Sequence, residues 1–426
     1  MDTEKVNKLR NLITFWKESV LNDNLFPRDL SKEINVNGNE VIDIVGVRRS
    51  GKSSVLSILA KSLNNKDSWL YINFEDPYFT ENNRATVIED LIKTYVKYFS
   101  DTLTYLFFDE IQNIDSWEKS VRKYRDGSKY KIFITGSSSK LLSGELGSSL
   151  TGRHLSYNMF PLSFQEYLPF INIKIEKSED ILIKGEKMKE AFQNYLYYGG
   201  FPQVVLTREY NLLKSYYSDI LQRDIIGRYD VRDKNTLEKI GLFLITNSSK
   251  IISPSSLKNL YSVSFEKVAR YIDYFKESMI CYELEAYNPS LKSRQRSFKK
   301  IYAVDTGLAN LVSMSFSLDK GRLLENAVFL ELKRLRKEIY YYRQQNYEVD
   351  FIVREDNKDI EAIQVAWNMS DPETRKRELR SIDKVIERLG IKKATIITID
   401  TKETIPHDGY KIEVVPAYEW FLNGKK

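Results

Sequence analysis

In the segment GVRRSGKSS, Gly46, Gly51, Lys52 and Ser53 stand at the spacing G-x-x-x-x-G-K-S. Each residue type has a task if a nucleoside triphosphate binds there. The glycines admit backbone torsions and close approaches that a side chain blocks. Successive backbone N–H groups then point at the phosphates, helped by the positive end of the following helix dipole. Lys52 reaches the β and γ phosphates, and the Ser53 hydroxyl ligates Mg²⁺. Gly46, Arg49, Ser50, Gly51, Lys52, Ser53 and Ser54 are therefore the expected ATP-contacting set, with a basic turn as the alternative.

A second group ends the apolar run TYLFFDEIQN. Carboxylates at a strand end in an α/β sheet lie where the crevice forms. Asp109 is expected to hold Mg²⁺ through water, and Glu110 to orient and deprotonate the attacking water. The competing reading is an acidic cap on the next short helix. The run YKIFITGSSS ends in hydroxyls. Ser137 or Ser138 is placed to sense the γ-phosphate or the attacking water, against the alternative of a Ser-rich turn.

These groups need elements to position them. EVIDIVG is short, β-branched and bounded by Gly46, so it reads as a strand. After the loop, Val55, Leu56, Ile58, Leu59 and Leu63 keep helical spacing. Strand, loop, helix is the setting that a phosphate loop requires. SWLYINFED, between the two motifs, reads as another strand, and YKIFITGSSS as a fourth. A strand in that place, with the paired Asp-Glu, resembles the P-loop class in which another strand separates the strand of the phosphate loop from that of the acidic pair.

GVRRSGKSS, LFFDEIQN, FITGSSSKLLSGELGSSLTGR and PLSFQEYL resemble, in order and spacing, an AAA+/STAND-related family of archaeal and bacterial ATP-binding proteins. That family carries a C-terminal domain of uncharacterised function, and the resemblance covers nearly the whole chain. It implies an AAA-type α/β fold with a parallel sheet, ATP and Mg²⁺ as cofactors, and association with DNA. Arg153, in LTGRH just before the fifth strand, matches the place where AAA+ relatives present an arginine finger to a neighbouring subunit. That role implies a homo-oligomer; a structural ion pair is the alternative. Gly200-Phe201-Pro202 is similar to the Gly-x-Pro element of STAND helical lids, in which Pro202 packs near the nucleotide base. A helix-ending Gly-Gly turn is the other reading.

By pattern the chain divides into an N-terminal helical segment (1–30), a P-loop core (31–162), a helical lid (163–205), a middle domain (206–318) and a C-terminal domain (319–426). In the middle domain Leu257, Leu260 and Tyr261 lie on one short helix and SVS makes a turn. Val268, Tyr271, Ile272, Phe275 and Met279 then repeat at helical spacing. Two strand-like runs follow, ICYELEAYN and FKKIYAVD, joined by PSLKSRQRS. Helix, turn, helix, hairpin is a winged-helix arrangement. Lys292, Arg294, Arg296, Lys299 and Lys300 fall between Asn288 and Tyr302 with no acidic residue among them, so the hairpin is expected to meet DNA phosphates. The preceding helix mixes Lys267 and Arg270 with Glu266, Asp273 and Glu277, the pattern of a solvated or packing face.

LLENAVFLELKRL, EVDFIVRED and IEAIQVAW look like helix, strand, strand. They resemble the family's C-terminal domain, itself similar to the restriction-endonuclease fold. Active enzymes of that fold gather metal on a helix Glu, a strand Asp and a next-strand acidic residue, with a Lys two positions later that helps activate water. Glu325 and Asp350 match, but Gln364 and Ala366 take the last two places. The domain is therefore expected to be catalytically inactive and to offer a docking or assembly surface to a protein partner.

A single cysteine, Cys281, excludes an intramolecular disulfide, and with two histidines in the chain no His-based metal site is expected. The cytosol is the expected compartment, and no apolar run approaches the ~20 residues that span a bilayer. The expected function is ATP hydrolysis that closes the lid and repositions the winged helix and the C-terminal domain. A nucleotide-switched binding module with negligible turnover is the alternative. Gln364 and Ala366 disfavour a third reading, an ATP-gated nuclease.

Overall fold

The computed structural model describes residues 2–137, 152–175, 179–288, 290–312, 319–344, 347–354, 360–407 and 410–423. The chain separates into two compact units, Met1–Phe160 and Pro161–Lys426.

Apolar runs form four of the first unit's strands, β1 (Val41–Gly46), β2 (Trp69–Asn73), β3 (Tyr105–Asp109) and β4 (Lys131–Gly136), and the more polar HLSYNM forms β5 (His154–Met159). They make one parallel sheet in the order β2-β3-β4-β1-β5. Every residue of β1 and β4 is buried, which is why these strands read as continuous apolar runs instead of alternating ones. The strand that separates β1 from β3 is β4, KIFITG; SWLYINFED supplies β2, at the sheet edge.

The helix Lys52–Ser62 buries Val55, Leu56 and Leu59. They pack with Ile42, Ile44, Phe107 and Phe133 of the sheet. The N-terminal helix, Thr3–Asn22, is started by the Asp2 carboxylate, which accepts from the Glu4 N–H. Its Val20 joins the same core, so the segment is built into this unit.

The second unit begins with short helices, among them Phe164–Phe170, Gly185–Tyr198 and Pro202–Thr207. Ser163 and Glu166 form a reciprocal capping box at the first of these. A helix Lys234–Thr246, strand β6 (Lys250–Ile252), helices Pro254–Tyr261 and Phe265–Glu277, and strands β7 (Cys281–Leu284) and β8 (Lys299–Ala303) follow. The strands form an antiparallel sheet in the order β6-β8-β7. The connection between β7 and β8 holds a helix, Leu291–Arg296, where a plain loop was expected. The run LKSRQR lacks Gly, Pro and β-branched residues, and Ser290 caps its first turn.

After the helix Lys320–Arg334 come β9 (Glu338–Gln344), β10 (Tyr347–Arg354), β11 (Ile360–Val365), β12 (Lys393–Thr398), β13 (Glu403–His407) and β14 (Tyr410–Pro416). Their order is β13-β14-β12-β11-β10-β9. Parallel neighbours need a crossover, and helix Pro372–Leu389 supplies it between β11 and β12. Its Ile382, Val385 and Ile386 pack on Val349, Ile352, Ala362 and Ile396. The edge strand β9 is met by the chain leaving β7: the Tyr341 N–H donates to the Glu285 carbonyl (3.0 Å) and the Tyr287 N–H to the Tyr341 carbonyl (2.6 Å).

Candidate nucleotide site

The phosphate loop joins the end of β1 to the helix Lys52–Ser62. Gly46 ends the strand, and a Cβ there would run into the Met159 carbonyl of β5. That glycine serves strand packing. Gly51 holds the left-handed conformation, at φ 101°, directly before the helix. Arg49, also left-handed, and Ser53 are exposed, and Ser54 is half-buried. Lys52 is buried: its Nζ donates to the carbonyls of Gly46 (3.1 Å) and Val47 (3.4 Å) and lies 3.3 Å from Glu110 Oε1.

Asp109, at the end of β3, is wholly buried. Its Oδ1 accepts from the Thr135 hydroxyl, and its Oδ2 from the Tyr71 hydroxyl (2.9 Å) and the Asn73 amide (3.2 Å). Ser53 hydrogen-bonds it as well. Burial, then the charge of Glu110, pushes the Asp109 carboxyl above its usual range. Glu110 sits in the left-handed region at φ 51°, and its N–H donates to Thr135 Oγ1 at 2.9 Å. The Gln112 amide donates to Glu110 Oε2 at 2.6 Å. Burial pushes this carboxyl up, but Lys52, Gln112 and Arg48 outweigh it and hold Glu110 below its ordinary value. Neighbouring carboxyls are thus moved in opposite directions by their surroundings.

Ser137 is buried at the exit of β4, and Ser138 lies outside the described residues. Arg153 precedes β5, and its exposed guanidinium pairs with Asp126 of the same chain at 3.0 Å. Sequence reasoning missed Tyr71, Asn73, Thr135 and Arg28. Asn73 ends β2 and Thr135 lies next to the end of β4, the strands on either side of β3, where the strand-end rule could have found them, whereas Tyr71 sits in the middle of β2. Arg28 carries no motif. It is buried, and donates to the carbonyls of Ser50 (2.8 Å) and Phe160 (3.0 Å), tying the loop to the end of the sheet.

In the second unit Pro202 opens the helix Pro202–Thr207, and Gly199 ends the preceding helix at φ 78°. The turn is organised by Asp305, whose carboxylate accepts from the N–H groups of Gly200 (2.7 Å) and Leu308 (2.8 Å). Burial pushes the Asp305 carboxyl up to about 6.

The basic hairpin departs from expectation. Lys292 and Arg296 are exposed. Arg294 donates to the Tyr340 hydroxyl (2.8 Å) and lies over its ring, and Lys299 pairs with Glu285 (2.7 Å). Lys300 is corrected as a phosphate-contacting residue. It is 2% exposed, because neighbouring strand residues face opposite ways, and its Nζ lies at 3.0 Å from Glu325, 2.7 Å from Glu348 and 3.1 Å from Asp350. Gln364 accepts from the Asp350 N–H (3.2 Å) and donates to Glu378 (2.7 Å), while Ala366 is in the core. Among the described residues, no group of three or more His, Cys, Asp or Glu side chains could hold a metal ion. No helix among them is long and apolar enough to cross a membrane.

Residues 38–168 match an AAA domain, 189–319 a domain of unknown function (DUF8612) and 320–420 another (DUF4143). Uncharacterized protein MJ1544 of Methanocaldococcus jannaschii is 35% identical, over 97% of this chain and 94% of its own. An uncharacterized protein of Haemophilus influenzae is 29% identical, over 89% and 93%. The crystal structure of Cdc6p from Pyrobaculum aerophilum covers 76% of this chain and 93% of its own at 13% identity, with a TM-score of 0.28, too loose to argue from. The identity to MJ1544, over nearly the full length of both chains, carries the conclusion: this protein belongs to the archaeal and bacterial family that joins an AAA domain to a C-terminal DUF4143 domain.

Proposed function

We propose that the protein hydrolyses ATP with Mg²⁺ in its first unit. The observation that carries this reading is Glu110, a buried carboxylate held ionised 3.3 Å from Lys52 and beside the Ser53–Asp109 pair. An ionised, oriented carboxylate is what a water-activating base requires. Ser53 and Asp109 offer a hydroxyl and a carboxylate, oxygen donors suited to a hard cation, and would hold Mg²⁺. Bound there, the ion would neutralise phosphate charge.

Lys52 would exchange its carbonyl partners for the β and γ phosphates, with Gly46, Arg49, Ser50, Gly51 and Ser54 forming the surrounding loop. Gln112 and the backbone bond to Thr135 keep Glu110 aimed while it accepts a proton from water. Ser137 is the proposed γ-phosphate sensor, and Pro202 the proposed base contact.

The order of helix, strand, two helices and hairpin in the second unit supports a winged-helix assignment, and the helix–sheet pattern after it supports a restriction-endonuclease-like one. Turnover is proposed to change the conformation of that unit. DNA contact through the hairpin would rest on Lys292 and Arg296. The lone buried Cys281 suits the cytosol.

The test is a pair of variants. Lys52→Ala is expected to lose ATP binding. Glu110→Gln is expected to bind ATP and lose turnover by about 10²- to 10⁴-fold. Wild-type turnover in Glu110→Gln removes Glu110 from its assigned role.

A slow nucleotide switch is the second reading, favoured by the Arg153–Asp126 pair. An arginine so held would have to leave its partner before acting on a neighbour's nucleotide in a homo-oligomer. Turnover measured with and without DNA separates the two readings.

A further inference from the structure

The environment of Lys300 is unusual for a lysine. Its ammonium is buried on β8, and three carboxylates from other elements surround it: Glu325 from the helix Lys320–Arg334, and Glu348 and Asp350 from β10. All three oxygens lie within 3.1 Å of Nζ. The Tyr302 hydroxyl, two residues along β8, donates to the same Glu325 oxygen at 2.7 Å. The second Asp350 oxygen accepts from the Val365 N–H at 3.0 Å.

Carboxylates brought together in a protein interior repel one another, and a buried charge is tolerated only when paired. Such a cluster is relieved either by protonation, and burial with the charge of Asp350 pushes the Glu325 carboxyl up to about 8, or by a cation seated among the carboxylates. In a metal centre the cation is a divalent ion held by carboxylate oxygens. Here the place is taken by an ammonium that the chain itself delivers from a separate sheet. The third acidic position holds Gln364, whose amide is already engaged by the Asp350 N–H and Glu378.

We propose that Lys300 is the resident cation of a metal-type carboxylate site, occupying the position a divalent ion would take and clasping the sheet β6-β8-β7 to the C-terminal sheet. The site is closed to metal in the native chain, and removing the ammonium opens it.

The probe is Mn²⁺, titrated into the full chain without nucleotide and followed by the electron-spin-resonance signal of the free ion. Wild type is expected to hold no Mn²⁺ that Asp350→Asn removes. Lys300→Ala is expected to gain one Mn²⁺ per chain and to lose it again when Asp350→Asn is added. Lys300→Gln, which keeps most of the stem and a donor, is the second variant and is expected to gain the ion more weakly.

A folded Lys300→Ala or Lys300→Gln that takes up no Mn²⁺ overturns the proposal. So does Mn²⁺ bound by wild type and lost in Asp350→Asn, which would make the cluster an ordinary metal centre. Cleavage of supercoiled DNA by that wild-type protein would identify it as a nuclease. If neither Lys300 variant folds, the comparison of wild type with Asp350→Asn alone decides between the two.

Discussion

Glu110 and Asp109 are adjacent, yet their surroundings give them different work. Glu110 faces Lys52 and stays ionised, while Asp109 is fixed by hydroxyls and an amide. The lowered Glu110 carboxyl of the nucleotide-free chain means that kcat/KM for ATP should persist below the usual carboxylate range before its acidic fall, and a pH profile of kcat/KM checks this. If Asp109 holds Mg²⁺ as proposed, Tyr71 would act through it as a positioning residue. Removing its hydroxyl in Tyr71→Phe should weaken Mg²⁺ dependence by about 10- to 100-fold with ATP binding retained. An unchanged Mg²⁺ titration of turnover would remove Tyr71 from the site. At this scale the motif residues were legible because their spacing is local. Tyr71, Thr135 and Arg28 were not, since each meets the site only through sheet order or a distant carbonyl.

Among elements, the turn from Gly199 to Pro202 owes its shape to a carboxylate more than 100 residues away in sequence. Asp305 is raised to about 6 from the ordinary value of 3.8. The folded state therefore binds a proton that the unfolded state has released across this window. The stability linked to that proton is fully present below about 4 and is lost as pH rises through about 6. The contribution is on the order of 3 kcal/mol. Thermal melting of wild type should accordingly weaken from pH 4 to pH 7 by more than that of Asp305→Asn. Equal pH slopes in the two proteins would sink this account. A helix-ending Gly-Gly turn was readable in the sequence. What holds it was not, although an Asp three residues before an N–H it accepts is a familiar cap.

Over the molecule as a whole, charge in the sequence did not translate into charge at the surface. The hairpin's five basic residues are acid-free only along the chain, and folding brings Glu285, Glu325, Glu348 and Asp350 to two of them. Reversal of Lys292 and Arg296 to Glu should therefore weaken DNA binding and flatten its salt dependence by a slope of about 2. A salt titration of affinity that does not change would take the DNA surface away from the hairpin. The first four strands of the first unit, the two helices before the hairpin and the helix–strand–strand of the C-terminal region were legible, because periodicity and β-branched runs report local geometry. Pairing across elements is what periodicity cannot carry.

The meeting of β9 with residues 285–287 bears on how the modules of this chain can be separated. Residues 320–420 match a domain model of their own. Yet the open edge of their sheet is covered by Glu285 and Tyr287, and their carboxylates are neutralised by Lys300. Moved into another protein alone, that stretch would carry an uncovered strand edge, which invites self-association, and an uncompensated buried charge. Separated from residues 285–300, residues 320–420 are therefore expected to lose stability and solubility.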